Sequence, residues 1–148
     1  MNILVSACLL GKPCRYDGKS KPCNEVIALS EKHKLIEVCP EVLGGLPTPR
    51  TPCEIVGDMV ISKTGEDRTR EYCKGADLAL KLARDNNCTI AVLKLKSPAC
   101  GCREVYDGSF SKTLVKGMGI TAKKLSENGI KVIGEDEIGI ILGENDGL

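Results

Sequence analysis

The stretch "DRTREYCKGADLALKLARDNNCTIAVLKL", residues 67–95, changes period partway along, and that change decides the fold. From about residue 67 to 86, Cys73, Ala76, Leu80 and Ala83 recur at helical spacing, which predicts an amphipathic helix with Cys73 among its buried small residues. Asn87 ends the helix. Residues 89–95 then form a short apolar run of the kind that is buried on both faces of a parallel sheet.

The same alternation extends in both directions. Residues 3–7 form a first buried strand, Asn24 caps a helix over residues 25–33, and residues 35–39 ("LIEVC") form a second strand stopped by Pro40. "EVLGGLPTPRTPCE", residues 41–54, is an irregular loop rich in Gly and Pro. "EIVGDMVIS", residues 54–62, predicts a hairpin around Gly57-Asp58 that decorates the main sheet. After a turn at Tyr106-Asp107-Gly108, a helix over residues 116–128 leads into a fourth strand, "IKVIGED". Strands alternating with helices at this spacing predict an α/β fold, a Rossmann-like three-layer sandwich with a mainly parallel sheet, in one domain over residues 1–148.

Composition narrows the function. With 21 basic and 20 acidic residues the chain has a net charge of +1, so no overall field draws it to nucleic acid or an anionic membrane. Neither a leader nor an apolar run long enough to span a bilayer is visible, which predicts a cytoplasmic protein. Aromatic residues are 3% of the chain, with no Trp and one Phe, a poor supply for stacking on single-stranded nucleic acid.

Nine cysteines are many for a cytoplasmic domain, and an odd number argues against a fully paired disulfide framework. In an open parallel sheet, ligands bind beyond the carboxyl ends of the strands, where the strand order reverses. Cys8, Cys39 and Cys100 fall at or just beyond three strand ends and are expected to converge there. Cys14 and Cys102 lie close enough in sequence to be reserves. Cys88 is expected to pack, and Cys23 and Cys53 are expected to be incidental. Structural zinc normally takes four ligands from paired knuckles, and this chain has no CxxC and one histidine, His33, expected to be solvated at a helix end. Three thiolates on separate loops better suit a [4Fe-4S] cluster with one iron left open, able to act as a Lewis acid toward a soft sulfur ligand.

Around these thiols, Glu41 leaves the same strand end as Cys39 and is the natural proton-transfer group in a chain so poor in histidine; a solvent-facing loop carboxylate is the competing reading. Ser97 could donate to a substrate or cap the turn before Cys100. Gly44, Gly45 and Arg50 could present amides and a guanidinium to an anion or carbonyl. Asp17 and Asp107 in the two Tyr-Asp-Gly turns are read as turn residues.

"SACLLG", "CRYDG", "CPEVLGGLPTPR", "SPACGC" and "VYDGSF", in that order across nearly the whole chain, resemble the thiouracil desulfidase (TudS) family, long catalogued as a domain of unknown function. The resemblance implies an oxygen-sensitive [4Fe-4S] enzyme that converts thiouracil to uracil and hydrogen sulfide without net redox. It also implies cluster ligation by Cys8, Cys39 and Cys100, with Glu41 and Ser97 as the catalytic pair. Two positions depart from the family pattern: Ala99 stands where Ser is common, and Cys53 where Ala is common. Free base, nucleoside, nucleotide and thiolated tRNA all carry the reacting group; the lack of a basic extension favours a small-molecule thiolated base or nucleotide, with no stable nucleic-acid binding. Two other readings compete: a cysteine persulfide sulfur carrier without metal, and a non-catalytic iron–sulfur or zinc redox-sensing module whose metal takes Cys14 or Cys102 as fourth ligand.

Overall fold

The computed structural model describes residues 1–141. β1 (Asn2–Ser6) runs into a 3-10 turn over Ala7–Leu10, and α1 (Asn24–Ile27) continues through a second such turn, Ala28–Glu31, into β2 (Lys34–Val38). The short α2 (Pro40–Leu43) follows at once. Then come the hairpin β3 (Cys53–Val56) and β4 (Met59–Ser62), the long helix α3 (Thr69–Asp85) and β5 (Ile90–Leu93). A second hairpin, β6 (Glu104–Tyr106) and β7 (Leu114–Lys116), precedes α4 (Ile120–Glu127) and β8 (Lys131–Gly134).

β1, β2, β5 and β8 form one sheet in the order β2-β1-β5-β8, with every neighbouring pair parallel. Side chains alternate across it. Ile3, Val5, Ile90 and Val92 pack with Val26 and Leu29 on the α1 face, whereas Leu4, Ala91 and Leu93 pack with Tyr72, Ala79, Leu80 and Leu125 on the α3 and α4 face. This is the expected α/β sandwich. Ile3, Leu4 and Val5 are fully buried, and burial of such side chains contributes about 1.5–3 kcal/mol each. The central strand is therefore a firm base for the loops leaving its end. The chain steps from β1 outward to β2, then back across β1 to β5, so the strand order reverses between β1 and β5 and a crevice opens at their carboxyl ends.

Several local expectations need correction. The helix expected from residue 116 starts later, because Leu114–Lys116 is β7 and Gly117 and Gly119 are poor helix formers. Gly119 also lies so near the loop before it that a Cβ would stand 2.5 Å from the Ala99 carbonyl oxygen. The Tyr106-Asp107-Gly108 turn opens the loop of a hairpin. The Gly57-Asp58 hairpin forms as expected, but as a sheet of its own against α3 and β6. Cys73 is exposed, and Tyr72 takes the buried position. At roughly 100° per residue, Cys73 stands just past Leu80 on the edge of the buried arc through Tyr72, Ala76, Ala79 and Ala83. His33 is buried rather than solvated, with its Nδ1 3.2 Å from the Met1 amine.

Candidate active site

The three strand-end loops are held by backbone bonds. Cys8 sits in the 3-10 turn after β1, capped by Gly11 at φ 97°, and its carbonyl accepts the amides of Gly11 and Lys21. Cys39 is the N-cap of α2, and its carbonyl accepts the Leu43 amide. Cys100 lies on a loop clamped by the start of α4. The amides of Gly119, Ile120, Thr121 and Ala122 donate to the carbonyls of Gly101, Pro98 and Ala99, satisfying donors that a helix start otherwise leaves free. All three thiols line one cavity of about 390 Å³, together with Cys14, Cys53, Glu41 and Ser97. Small-molecule sites span roughly 300–1,000 Å³, so the volume suits such a ligand.

Glu41 is no solvent-facing loop carboxylate. Its Oε2 accepts a 2.5 Å hydrogen bond from the Tyr72 hydroxyl, and its Oε1 lies 3.2 Å from an Arg50 guanidinium nitrogen, with side-chain exposures of 14% and 5% for Glu41 and Arg50. Tyr72 reaches it because α2 crosses α3 at two glycines. A Cβ on Gly75 would overlap the Pro40 carbonyl, and a Cβ on Gly44 the Glu71 carbonyl. Gly44 and Gly45 therefore serve packing and helix termination, their amides donating to Pro40 and Val42, rather than presenting donors to an anion. Arg50 also donates to the carbonyls of Cys14 and Pro47, tying the 14–18 loop to the Pro-rich loop.

The thiols differ in acidity. A hydrogen bond from Cys14, opposed by burial and aided by the Val42 amide, brings Cys39 down to about 7. Cys14 is correspondingly held up, by that interaction and by burial, and the Cys39 thiol lies 3.7 Å from the Cys14 carbonyl oxygen. Burial, then the nearby Cys39, pushes Cys8 up to about 11. Burial raises Cys100 well above an ordinary thiol, partly opposed by a hydrogen bond from Ser6. A cation at the site would favour all three as thiolates. Tyr72 is pushed far up by burial and then by Glu41, which leaves it a donor.

Ser97 Oγ accepts the amides of Ala99 and Cys100, each at 3.1 Å, so it does cap the turn. Both lone pairs are then engaged, which leaves the hydroxyl proton of this cavity-lining residue as a donor with no acceptor among the described residues. Asp17 and Asp107 are turn residues as expected, accepting the amides of Lys19 and Ser109. Of the reserve thiols, Cys14 lines the cavity and Cys102 does not. Ala99 is fully buried and off the lining, whereas Cys53 is on it. Cys88 packs, its thiol raised by burial.

Other residues of the site carry no motif. Arg15, Lys63, Lys96 and Lys112 line the cavity and form no ion pair among the described residues, while Lys94 pairs with Glu135 at 3.1 Å. Tyr16, Tyr106 and Phe110 line it as well. Glu54 is buried, and its Oε1 accepts the amides of Gly108 at 2.9 Å and Phe110 at 3.2 Å. The one available signal was scarcity: a chain with three Tyr and one Phe places every aromatic ring in or under this cavity.

The donor set fits an iron–sulfur cluster. Cys8, Cys39 and Cys100 line one cavity, and soft thiolates are the ligands that hold such clusters; among the described residues no three His, Cys, Asp or Glu side chains gather tightly enough for a single metal ion. Arg50 Nε is buried without a hydrogen-bond partner among the described residues, and the guanidinium lies near Cys39, a donor suited to cluster sulfide or thiolate.

The chain is 39% identical to the uncharacterized protein YbbK of Bacillus subtilis (strain 168), over 95% of this chain and 99% of that one. It also superposes on a [4Fe-4S]-dependent thiouracil desulfidase, TudS, with a TM-score of 0.92 and 42% identity over 99% of both chains. The 2-thiouracil desulfurase family model matches residues 3–137, a span that includes all three strand-end thiols, Glu41 and Ser97, and the chain belongs to that family.

Proposed function

We propose that the chain works as a single-domain [4Fe-4S] thiouracil desulfidase, converting a thiolated uracil and water to the uracil and hydrogen sulfide with no change in redox state. The observation that carries the proposal is the meeting of Cys8, Cys39 and Cys100, from three separate strand ends, in one cavity with Glu41 and Ser97. Cys8, Cys39 and Cys100 would hold the cluster as thiolates, and the bound cluster would supply Lewis-acid activation of the thiocarbonyl group.

The remaining steps belong to side chains. Glu41, clamped by Tyr72 and Arg50, takes a proton from the attacking water and returns it to the departing sulfur; its rigid mounting supports this role. Ser97 donates its free hydroxyl proton to the base. One C=S bond is exchanged for C=O, the two water protons leave with sulfide, and no electron is moved. The four unpaired cations at the rim favour a phosphorylated substrate over the free base. All nine thiols are free, which supports a reducing compartment such as the cytoplasm, and no described helix is long and apolar enough to cross a membrane.

The test is anaerobic purification, reconstitution with iron and sulfide, and addition of 4-thiouracil or its nucleoside monophosphate without reductant. Loss of thiocarbonyl absorbance matched by hydrogen sulfide is expected, with a lower KM for the monophosphate. Turnover that survives iron chelation would replace this reading with the persulfide carrier, and an intact cluster with no turnover on either substrate would leave the redox sensor.

A further inference from the structure

The loop over residues 107–113 has no role in the proton chemistry, yet it is built at a cost in backbone strain. Phe110 and Lys112 both adopt left-handed backbone, at φ 57° and 62°, although neither is a glycine or asparagine. Conformations of this kind cost on the order of 1–3 kcal/mol each and persist only where surrounding contacts impose them. At Phe110 the imposing contact is Glu54, whose Oε1 accepts both the Gly108 and the Phe110 amides. The loop is also seated on β3, because a Cβ on Gly108 would stand 2.8 Å from the Ile55 carbonyl oxygen.

This construction places the ring of Phe110 at the cavity, alongside those of Tyr16 and Tyr106. Phe110 is the sole phenylalanine of the chain, is half-buried, and is the one ring without a hydroxyl in a cavity that Tyr16 and Tyr106 also line. A flat apolar ring beside such a cavity has a natural partner in another flat ring. We propose that Phe110 stacks on the pyrimidine ring of the substrate and so determines base recognition, with Glu54 as the residue that positions it. The assignment rests on the desulfidase reading for the identity of the ring and on the loop geometry for everything else. It separates recognition from chemistry: Phe110 holds the face of the base, while Glu41 and Ser97 act at its edge.

The test uses the reconstituted holoenzyme. Base–aromatic stacking corresponds to roughly a ten- to hundred-fold change in binding, so Phe110→Ala is expected to raise KM for 4-thiouracil by at least about tenfold, with the iron content of the wild type and most of the loss in KM rather than kcat. Glu54→Ala is expected to raise KM in the same way. Glu54→Gln recovers most of the effect, because its amide oxygen still accepts both backbone N–H groups. The chain has no Trp, so Phe110→Trp is a single-tryptophan reporter, and uracil is expected to quench its fluorescence. A wild type that turns over while Phe110→Ala keeps KM within twofold, or while uracil leaves the tryptophan emission unchanged, overturns the stacking assignment alone. Quenching by uracil in a protein that does not desulfurate overturns the desulfidase reading and upholds the base site.

Discussion

Substituting Gly75 by alanine tests how the site is mounted. On the exposed face of a helix Gly→Ala stabilises by about 1 kcal/mol, but Gly75 faces α2. Its new Cβ would stand 2.8 Å from the Pro40 carbonyl carbon and closer still to the oxygen, whereas relaxed carbon contacts lie at about 3.5–4.0 Å. The two helices must therefore part by on the order of 1 Å. Overpacking of this kind costs about 1–3 kcal/mol, so the net loss after the propensity gain is about 0–2 kcal/mol. At about 2–4 °C per kcal/mol for a domain of this size, the melting temperature falls by less than about 8 °C. Activity falls much further. α2 carries Glu41 and begins at Cys39, while the Tyr72 hydroxyl stays on α3, so the separation opens the 2.5 Å bond to Glu41. Misplacement by about 1 Å lowers rates by on the order of 10²-fold. Gly44→Ala makes the reciprocal clash, 2.8 Å from the Glu71 carbonyl carbon, and should give the same phenotype. Once one Cβ has parted the helices the second finds room, so the double variant should lose much less than the sum of the singles. The assay is kcat per cluster for 4-thiouracil, with urea unfolding of the same samples. Full activity in Gly75→Ala, or additive losses in the double variant, would refute the reasoning.

Other outcomes follow from the same geometry. Replacing Cys8, Cys39 or Cys100 by Ala should abolish stable iron incorporation, whereas Cys102→Ala and the exposed Cys73→Ser should incorporate iron as the wild type does; equal iron content across the set would show that the cluster sits elsewhere. Tyr72→Phe removes one of the two partners of Glu41, and a hydrogen bond to a charged group contributes about 1.5–3 kcal/mol, so kcat should drop by roughly ten- to a hundred-fold at unchanged iron content. Hydrogen bonds from Ser109 and Thr69, and from Arg103, hold Asp107, Asp67 and Asp136 below the ordinary carboxylate value. A depressed folded value stabilises above the unfolded pKa near 3.8 and is lost as pH falls through the folded value. The urea midpoint should therefore decline below about pH 4, and Asp107→Asn combined with Asp67→Asn should flatten that decline.

The sheet and the thiols at its strand ends were legible because both depend on local pattern. Runs such as Ile3–Val5 and Ile90–Leu93 can be buried only as inner strands, and once the strands are placed their ends place Cys8, Cys39 and Cys100. Glu41 was legible only as a neighbour of Cys39. What makes it more than a loop carboxylate arrives from elsewhere: Tyr72 from α3 and Arg50 from the far side of the Pro-rich loop, brought in by a helix crossing at Gly44 and Gly75. A close approach of two backbones leaves no periodic trace in a sequence, since its signature is the absence of side chains. The three-residue β7 was missed for a related reason, being too short to establish a period. Cys73 shows the limit of the helical stripe itself, where one residue of rotation separates the buried arc from its edge.

The aromatic residues carry that distinction into function. Counted along the chain, three Tyr and one Phe are too few for a stacking surface along a nucleic-acid strand. A single base needs only one ring, held at the right place, and three of the four line the cavity while the fourth holds Glu41 from beneath. Scarcity is therefore compatible with the small planar ligand proposed above. In a chain with so few aromatic rings, their gathering around the thiols is a stronger sign of a base-binding site than a higher aromatic content spread over the surface would be.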